Sequence, residues 1–294
     1  MPSWNEILTD VDLYSNSIGE LNKKRIEFFN KINTITGRNV ISYYSGWLKK
    51  PDAPDVSIND KDKNAFMSAV YKLDKTKGLD LILHTPGGDI AATESIVVYV
   101  KSIFKGDIRA IIPQISMSAG TMIAMSCKEI IMGNQSSLGP IDPQMGGIAC
   151  QAVIDEFEQA KKDVSVDPTA LGLWQVIISK YHPTFLTACD NAIKWSEKLA
   201  EEWLKEVNPA IDIAEIKKQF LNHKNSYSHS RHISKEECKK VGLNIMDMES
   251  DSDLQDAILS LHHCYMILFD KYPISKAVEN HIGGCYIQNY SLNN

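Results

Sequence analysis

Short apolar runs alternate with amphipathic stretches through the middle of the chain. The runs Leu79–His84, Ile108–Ile112 and Glu129–Met132 have the length and apolar composition of buried strands. Apolar positions at helical spacing follow the first run and end at Gly106, and the small, apolar residues 117–127 after the second run predict a buried helix. Strands that alternate with turns and helices at such short intervals are typical of a parallel α/β sheet.

The flanking segments extend this pattern. The β-branched and aromatic residues at 38–47 predict a further strand, and the apolar spacing of 253–268 and of 275–281 predicts two helices. The pattern divides the chain into three predicted regions: a helical N-terminal arm at 1–35, a central α/β domain at 36–250 with a helical insertion at about 165–225, and C-terminal helices at 251–294.

The motif Ser234-Lys-Glu-Glu237 predicts the start of a helix. A serine at the N-cap with a glutamate three residues later is the capping-box pattern, in which each side chain binds the other residue's backbone N–H. Gly242 then fits the position just after the end of that helix, and residues 243–245 predict a last short strand.

Composition limits the class of protein. The chain has 294 residues, of which 44% are hydrophobic and 23% charged, an ordinary globular composition. Its 31 Lys and Arg against 37 Asp and Glu leave a net charge of −6, so we expect no nucleic-acid partner. Six dispersed cysteines without a C-x-x-C pair predict a reducing compartment rather than a disulfide framework. Because no signal peptide or spanning segment is visible, we expect a cytoplasmic protein that does not engage a membrane.

Two glycine-bearing turns follow neighbouring predicted strands, at 85–88 and at 116–121. In the second, Ser118 lies between a strand and a helix among small residues, which is the pattern of a nucleophile elbow. The N–H groups at the start of the following helix can bind an oxyanion, and Gly87 and Gly88, which have no Cβ, can bring a second N–H close. Either turn alone is more often an ordinary tight βα connection, because glycine turns are common in α/β proteins. Their combination is more specific.

Together, three segments carry a family resemblance: Thr85-Pro-Gly-Gly88, Met117-Ser-Ala-Gly-Thr121 and Ser136-Ser-Leu-Gly-Pro-Ile-Asp-Pro-Gln144. They resemble the Clp protease/crotonase fold, and residues 78–144 look closest to the serine dehydrogenase proteinase family, which is related to signal peptide peptidase A. The resemblance extends over most of the chain. It implies an α/β fold with a parallel sheet, βα spiral units and a helical C-terminal region. It also implies an ATP-independent serine endopeptidase without a cofactor, which acts on protein or peptide and forms a homo-oligomer.

The resemblance also implies residue roles. Ser118 matches the nucleophile, and Gly87 or Gly88 together with the N–H of Ala119 matches the oxyanion hole. Where Clp proteases have a histidine, this chain has Asp142, and where they have an aspartate, it has His229. The serine dehydrogenase proteinase family is described with this Ser…Asp…His order. The resemblance therefore predicts a triad of Ser118, His229 and Asp142.

Other bases remain open on the residues alone. His232 competes with His229, since both lie in the same short segment. Lys161 and Lys162 offer the base of signal peptide peptidase A, in which a buried lysine gives up its proton. The histidines also fit a loop that caps the following helix or binds the Asp142 region for stability. Two lysines at such positions are more often solvated on a helix face.

The reaction class also has alternatives. The residues alone indicate acyl transfer, and only the resemblance supplies a peptide substrate. A crotonase-type acyl-CoA enzyme would use the oxyanion N–H groups for a thioester enolate and would need no nucleophilic serine. A non-catalytic assembly or scaffold module is favoured by the missing histidine at the Clp position. No metal site is predicted, because the adjacent His262 and His263 point to different faces of a helix.

Overall fold

The computed structural model describes residues 4–12, 17–223 and 228–290, and these form two compact units. The first unit is Met1–Gly139 with His232–Asn294, and the second is Pro140–Arg231. The insertion predicted at about 165–225 falls in the second unit, which begins earlier in the chain. The predicted arm and C-terminal region belong to the first unit, together with most of the central domain.

Strands of the first unit form two sheets among the residues described. The larger contains β1 Asn39–Ser45, β2 Leu79–His84, β3 Ile108–Ile112, β5 Glu129–Met132, β10 Ile245–Asp247, β11 Ile274–Asn280 and β12 Cys285–Asn289. The smaller contains β4 Ile115–Ser116, β6 Ser137–Leu138 and β9 Ile233–Ser234. The larger sheet has the order β10-β5-β3-β2-β1-β11-β12, with β10 to β1 parallel and β11 and β12 antiparallel. The parallel α/β sheet predicted from the sequence is confirmed.

The helices of the first unit are α1 Trp4–Asp12, α2 Ser17–Thr36, α3 Lys61–Val70, α4 Ile90–Phe104, α5 Ala119–Met125, α10 Lys235–Lys240 and α11 Ser252–Lys271. The second unit contains the strands β7 Gln144–Met145 and β8 Ile148–Ala149 and the helices α6 Cys150–Val166, α7 Leu171–Ile178, α8 Phe185–Val207 and α9 Ile213–Ile216, followed by a π-helical turn at Lys217–Leu221. Within the described part of the chain, no helix combines the length and apolarity needed to cross a membrane.

The core of the first unit lies between its large sheet and the helices α2 and α11. Both β1 and β2 are buried along their whole length, as expected for central parallel strands covered on both faces. Helix α11 packs against α2, and its Tyr265 stacks on Tyr44 of β1 with ring centroids 4.0 Å apart. This packing fixes the ends of β2 and β3. The turn at 85–88 follows β2 directly, whereas Ser118 follows β3 by way of the short strand β4.

The helix predicted at 275–281 is wrong, because these residues form the strand β11. They pair antiparallel with β1 and bury Ala277 and Val278 in the core. Lys276 is buried as well, where it pairs with Asp62 of α3. Lys276 therefore has its partner in a distant segment, and tertiary context overrides the local helical pattern. The strand predicted at 243–245 lies two residues later, at β10.

The predicted capping box is confirmed at the start of α10. The N–H of Glu237 donates to Ser234 Oγ at 3.4 Å, and the N–H of Ser234 donates to Glu237 Oε2 at 3.0 Å. Two N–H groups that a helix start leaves without intrahelical partners are thus satisfied reciprocally.

We predict that Ser234→Ala lowers the free energy of unfolding by about 1 kcal/mol, because the Glu237 N–H loses its acceptor. Ser234→Thr keeps an acceptor oxygen and serves as the matched control. Urea unfolding followed by circular dichroism measures both variants. An Ala variant as stable as the Thr variant would contradict the assigned role of the cap.

Candidate active site

Ser118 lies in the sharp turn between β4 and α5, with backbone angles φ 50° and ψ −119°. A positive φ at a residue other than glycine is uncommon and costs on the order of 1–3 kcal/mol. Among the residues described, the Ser118 hydroxyl forms no capping hydrogen bond with α5, and the residue is half-buried. A strained, accessible serine between a strand and a helix is the geometry of a nucleophile elbow.

The turn at 85–88 lies directly against this serine. A Cβ built on Gly87 would be 2.6 Å from the Cβ of Ser118 and 2.8 Å from the N of Ala119. Gly87 also has a φ of 92°, a conformation that side chains with a Cβ rarely adopt. Only glycine therefore permits this approach of the two turns, as the sequence predicted for Gly87.

Hydrogen bonds from Thr85 hold the two turns together. The N–H of Met117 donates to the Thr85 carbonyl at 2.9 Å, and the N–H of Thr85 donates to the Ile115 carbonyl at 3.4 Å. The Thr85 hydroxyl oxygen also accepts from the N–H of Gly87 at 3.1 Å. Within the described part of the chain, by contrast, none of the hydrogen bonds uses the N–H of Gly88 or Ala119. Two such N–H groups close to a serine are the donors that an oxyanion requires.

The far side of the same turn is held by Ile58. The N–H of Ile58 donates to the Gly87 carbonyl at 2.7 Å, and the N–H of Asp89 donates to the Ile58 carbonyl at 2.9 Å. A Cβ on Gly88 would collide with the backbone of Ile58. Asp89 then caps α4 by accepting from the N–H of Ala92 at 2.8 Å. The turn is therefore clamped between the Ser118 turn and Ile58.

His84, the last residue of β2, is fully buried directly before the turn. Its Nδ1 lies 3.3 Å from the Ser45 carbonyl, its Nε2 lies 3.2 Å from Gln114 Oε1, and its ring stacks on Tyr44. Burial lowers the pKa of His84 from 6.5 to about 4. This histidine is therefore neutral at pH 7 and has a packing role.

Asp142, in the second unit, is a buried carboxylate shared by two imidazoles of the described chain. Its Oδ1 lies 2.8 Å from His229 Nδ1, its Oδ2 lies 3.0 Å from His223 Nδ1, and Gln144 Nε2 donates to Oδ2 at 3.0 Å. Sequence reasoning paired Asp142 with His229 but missed His223. No motif surrounds His223, and its relation to Asp142 depends on a pairing across 81 positions.

The backbone beside Asp142 explains why the carboxylate is held in place. The N–H of Ile141 donates to the Phe220 carbonyl at 2.7 Å, and the Ile141 carbonyl accepts from Ser196 Oγ at 3.0 Å. Phe220 belongs to the π-helical turn Lys217–Leu221, which leads to His223. Helix α8 and the π-helical turn thus fix the residue before Asp142 from both sides.

The remaining predicted bases are divided between the two units, with His232 in the first and both lysines in the second. His232 is an exposed residue of the first unit, with Nδ1 3.1 Å from Ser137 Oγ. Lys161 and Lys162 are exposed on α6, where Lys161 pairs with Glu158 at 2.7 Å. The lysine alternative does not fit this arrangement, because a lysine base requires a desolvated ammonium group. The described residues contain no group of three or more His, Cys, Asp and Glu arranged to hold a metal ion.

Known proteins provide a separate comparison. A family model described as ClpP-like SDH-type serine proteinase matches residues 20–266. An uncharacterized protein of Methanocaldococcus jannaschii is 27% identical over 229 residues, which cover 74% of this chain and 72% of that protein. A second uncharacterized protein of the same organism is 29% identical over 188 residues, which cover 64% of this chain and 59% of that protein. The matched range of the family model includes both turns and Asp142.

We predict that His84 makes stability fall as the pH drops from about 6.5 to about 4. Over that range the unfolded chain takes up a proton at His84 and the folded chain does not, which amounts to about 3 kcal/mol at 1.36 kcal/mol per pKa unit. His84→Gln removes this titration, whereas His182→Gln alters an exposed histidine and serves as the control. Urea unfolding at pH 7.5, 6, 5 and 4 measures the slopes. Equal slopes for wild type and His84→Gln would contradict the buried, neutral state of His84.

Proposed function

The chain belongs to the ClpP-like SDH-type serine proteinase family, and we propose that it is an ATP-independent serine endopeptidase with Ser118 as its nucleophile. One observation carries the assignment of the nucleophile: Ser118 has a strained positive φ in a turn that touches Gly87, beside two N–H groups without acceptors in the described chain. Family membership supports a peptidase, and the geometry supports this serine as the group that attacks.

The reaction follows from these groups. Ser118 Oγ attacks the carbonyl carbon of a peptide bond, a base takes the hydroxyl proton, and the N–H groups of Gly88 and Ala119 bind the oxyanion. The base then gives its proton to the leaving amine, and water hydrolyses the acyl-enzyme by the same steps. Oxyanion donors of this kind contribute roughly 3 kcal/mol each to transition-state stabilisation.

We propose His229 as the base and Asp142 as its partner. A carboxylate that accepts from Nδ1–H leaves Nε2 unprotonated, which is the form a general base requires, and it stabilises the imidazolium that forms later. The 2.8 Å separation of Asp142 Oδ1 and His229 Nδ1 supports this pairing. His223 also contacts Asp142 through its Nδ1. An experiment must therefore distinguish His229 from both His223 and His232 as the base.

We predict that a fluorophosphonate probe labels the wild type and that Ser118→Ala abolishes labelling, because the probe reacts with an activated serine. Ser126→Ala removes a buried serine at the end of α5 and serves as the matched control, with labelling retained. His229→Ala lowers the labelling rate by about 10²-fold or more, the usual contribution of a general base. His223→Ala and His232→Ala stay within roughly tenfold of wild type on the same scale.

Casein degradation by the same variants links labelling to peptide hydrolysis. Parallel loss of both activities in Ser118→Ala supports the peptidase. Labelling without cleavage of casein would show an activated serine that does not hydrolyse this protein substrate. A wild type that neither labels nor cleaves would contradict the proposal and leave the scaffold and acyl-CoA readings.

We predict that Gly87→Ala lowers the labelling rate by about 10²-fold, because a Cβ would push the two turns apart and misplace an oxyanion donor. Gly106→Ala is the matched control. Gly106 has a φ of 76°, close to the 92° of Gly87, but a Cβ there meets nothing within 4 Å. The control thus carries the backbone cost without the collision. A folded Gly87→Ala protein that labels as fast as Gly106→Ala would contradict the assigned role of the turn.

A further inference from the structure

A buried ion pair joins α3 to β11 in the first unit. Lys276 Nζ lies 2.7 Å and 2.8 Å from the two carboxylate oxygens of Asp62, and the two residues are 0% and 1% exposed. The Tyr43 ring lies beside the ammonium group, 5.4 Å from its centroid. Two charges buried this completely gain little net stability from each other, because both have lost their hydration. The other hydrogen bonds of Lys276 and Asp62 show which backbone segments the ion pair contacts.

Two of these hydrogen bonds involve the residues directly before and after Ile58. Lys276 Nζ donates to the Ser57 carbonyl at 2.9 Å, and the N–H of Asn59 donates to Asp62 Oδ2 at 3.0 Å. The ion pair therefore fixes the backbone on each side of Ile58. Ile58 is the residue whose N–H and carbonyl clamp the turn at 85–88.

Tyr43 extends from the ion pair toward Thr85, the residue at the start of the same turn. The Tyr43 hydroxyl donates to Asp62 Oδ2 at 2.8 Å and also interacts with the side chain of Thr85. Thr85 in turn accepts from the N–H of Gly87. Burial and the Asp62 carboxylate raise the pKa of Tyr43 well above its usual value, so its hydroxyl stays protonated as a donor.

A second buried ion pair on β11 provides the contrast. Arg25 Nε lies 2.9 Å from Glu279 Oε2, and the Tyr265 hydroxyl donates to the same oxygen at 2.6 Å. It has the same components as the first pair: a cation, a carboxylate and a tyrosine donor. Glu279 follows Lys276 by three positions, so the two side chains point to opposite faces of the strand. Its partners are on α2 and α11, away from the turn.

We propose that Lys276, Asp62 and Tyr43 are positioning residues for the oxyanion turn, and that they hold the Gly88 N–H in place through Ile58 and Thr85. The inference rests on the proposed function of Ser118. It predicts an effect on the chemical step rather than on probe binding, since none of the three side chains belongs to the surface that a substrate would meet.

The test compares Tyr43→Phe with Tyr265→Phe, because each variant removes one buried hydroxyl that donates to an ion-paired carboxylate. The kinetics of fluorophosphonate labelling give a maximal rate and an apparent binding constant for each protein. We expect Tyr43→Phe to lower the maximal rate roughly tenfold with the binding constant unchanged within about twofold. Tyr265→Phe changes neither by more than about twofold, even where it lowers the melting temperature equally. Equal rates for the two variants would overturn the inference.

The double variant Lys276→Met/Asp62→Asn removes the ion pair without leaving a lone buried charge. Arg25→Met/Glu279→Gln is its matched control. We expect the first double variant to lower the maximal labelling rate by more than tenfold relative to the second. If both fold and label equally fast, the ion pair has no positioning role.

Hydrogen exchange separates a failure of this inference from a failure of the proposed function. Exchange of the backbone amides in residues 85–89 should quicken in Tyr43→Phe and stay unchanged in Tyr265→Phe. Labelling of the wild type together with equal exchange in the two variants would overturn the positioning role and leave the nucleophile assignment intact. Faster exchange in Tyr43→Phe alone, with no labelling of the wild type, would support the positioning role and reject the peptidase.

Discussion

The candidate site depends on two backbone turns that approach more closely than any side chain would allow. Gly87 and Ser118 meet at a distance that a single Cβ would close, and Ser118 has a backbone conformation that costs free energy in a residue other than glycine. The large parallel sheet offsets that cost, because it fixes the ends of β2 and β3, and the bonds from Thr85 and Ile58 complete the support. Preorganisation of the donors is thus a property of the sheet, not of the turns alone.

Local pattern was sufficient for the elements whose signals are contained within a short window. The strands and turns around 79–132, the capping box at Ser234 and the serine elbow at Ser118 are of this kind, since each needs only its own neighbours. The helix assigned to 275–281 failed because its true partner is β1. His223 was missed for the same reason, because its contact with Asp142 joins residues far apart in sequence. Long-range pairing decided both, and no local residue pattern reports it.

Buried carboxylates organise both units in the same way. Asp80 at the start of β2 accepts from Arg38 and Arg109, Asp62 accepts from Lys276 and Tyr43, and Asp142 faces His223 and His229. Each carboxylate has at least two partners, as a buried charge requires. What differs is the chemistry of those partners. Guanidinium and ammonium groups serve a carboxylate as structural donors, whereas imidazole is the side chain that most often acts as a general base.

The ion pair of Lys276 and Asp62 forms late during synthesis of the chain. The two residues lie 214 positions apart, and the ribosome delivers the aspartate long before the lysine. Until β11 has been synthesised, both Asp62 and the Ser57 carbonyl lack the ammonium group of Lys276 that binds them in the folded protein. The nascent chain therefore contains Ser118 and the turn at 85–88 well before it contains Lys276. The segment that contacts the turn at 85–88 thus acquires its full set of hydrogen bonds only after a strand far along the chain has been made.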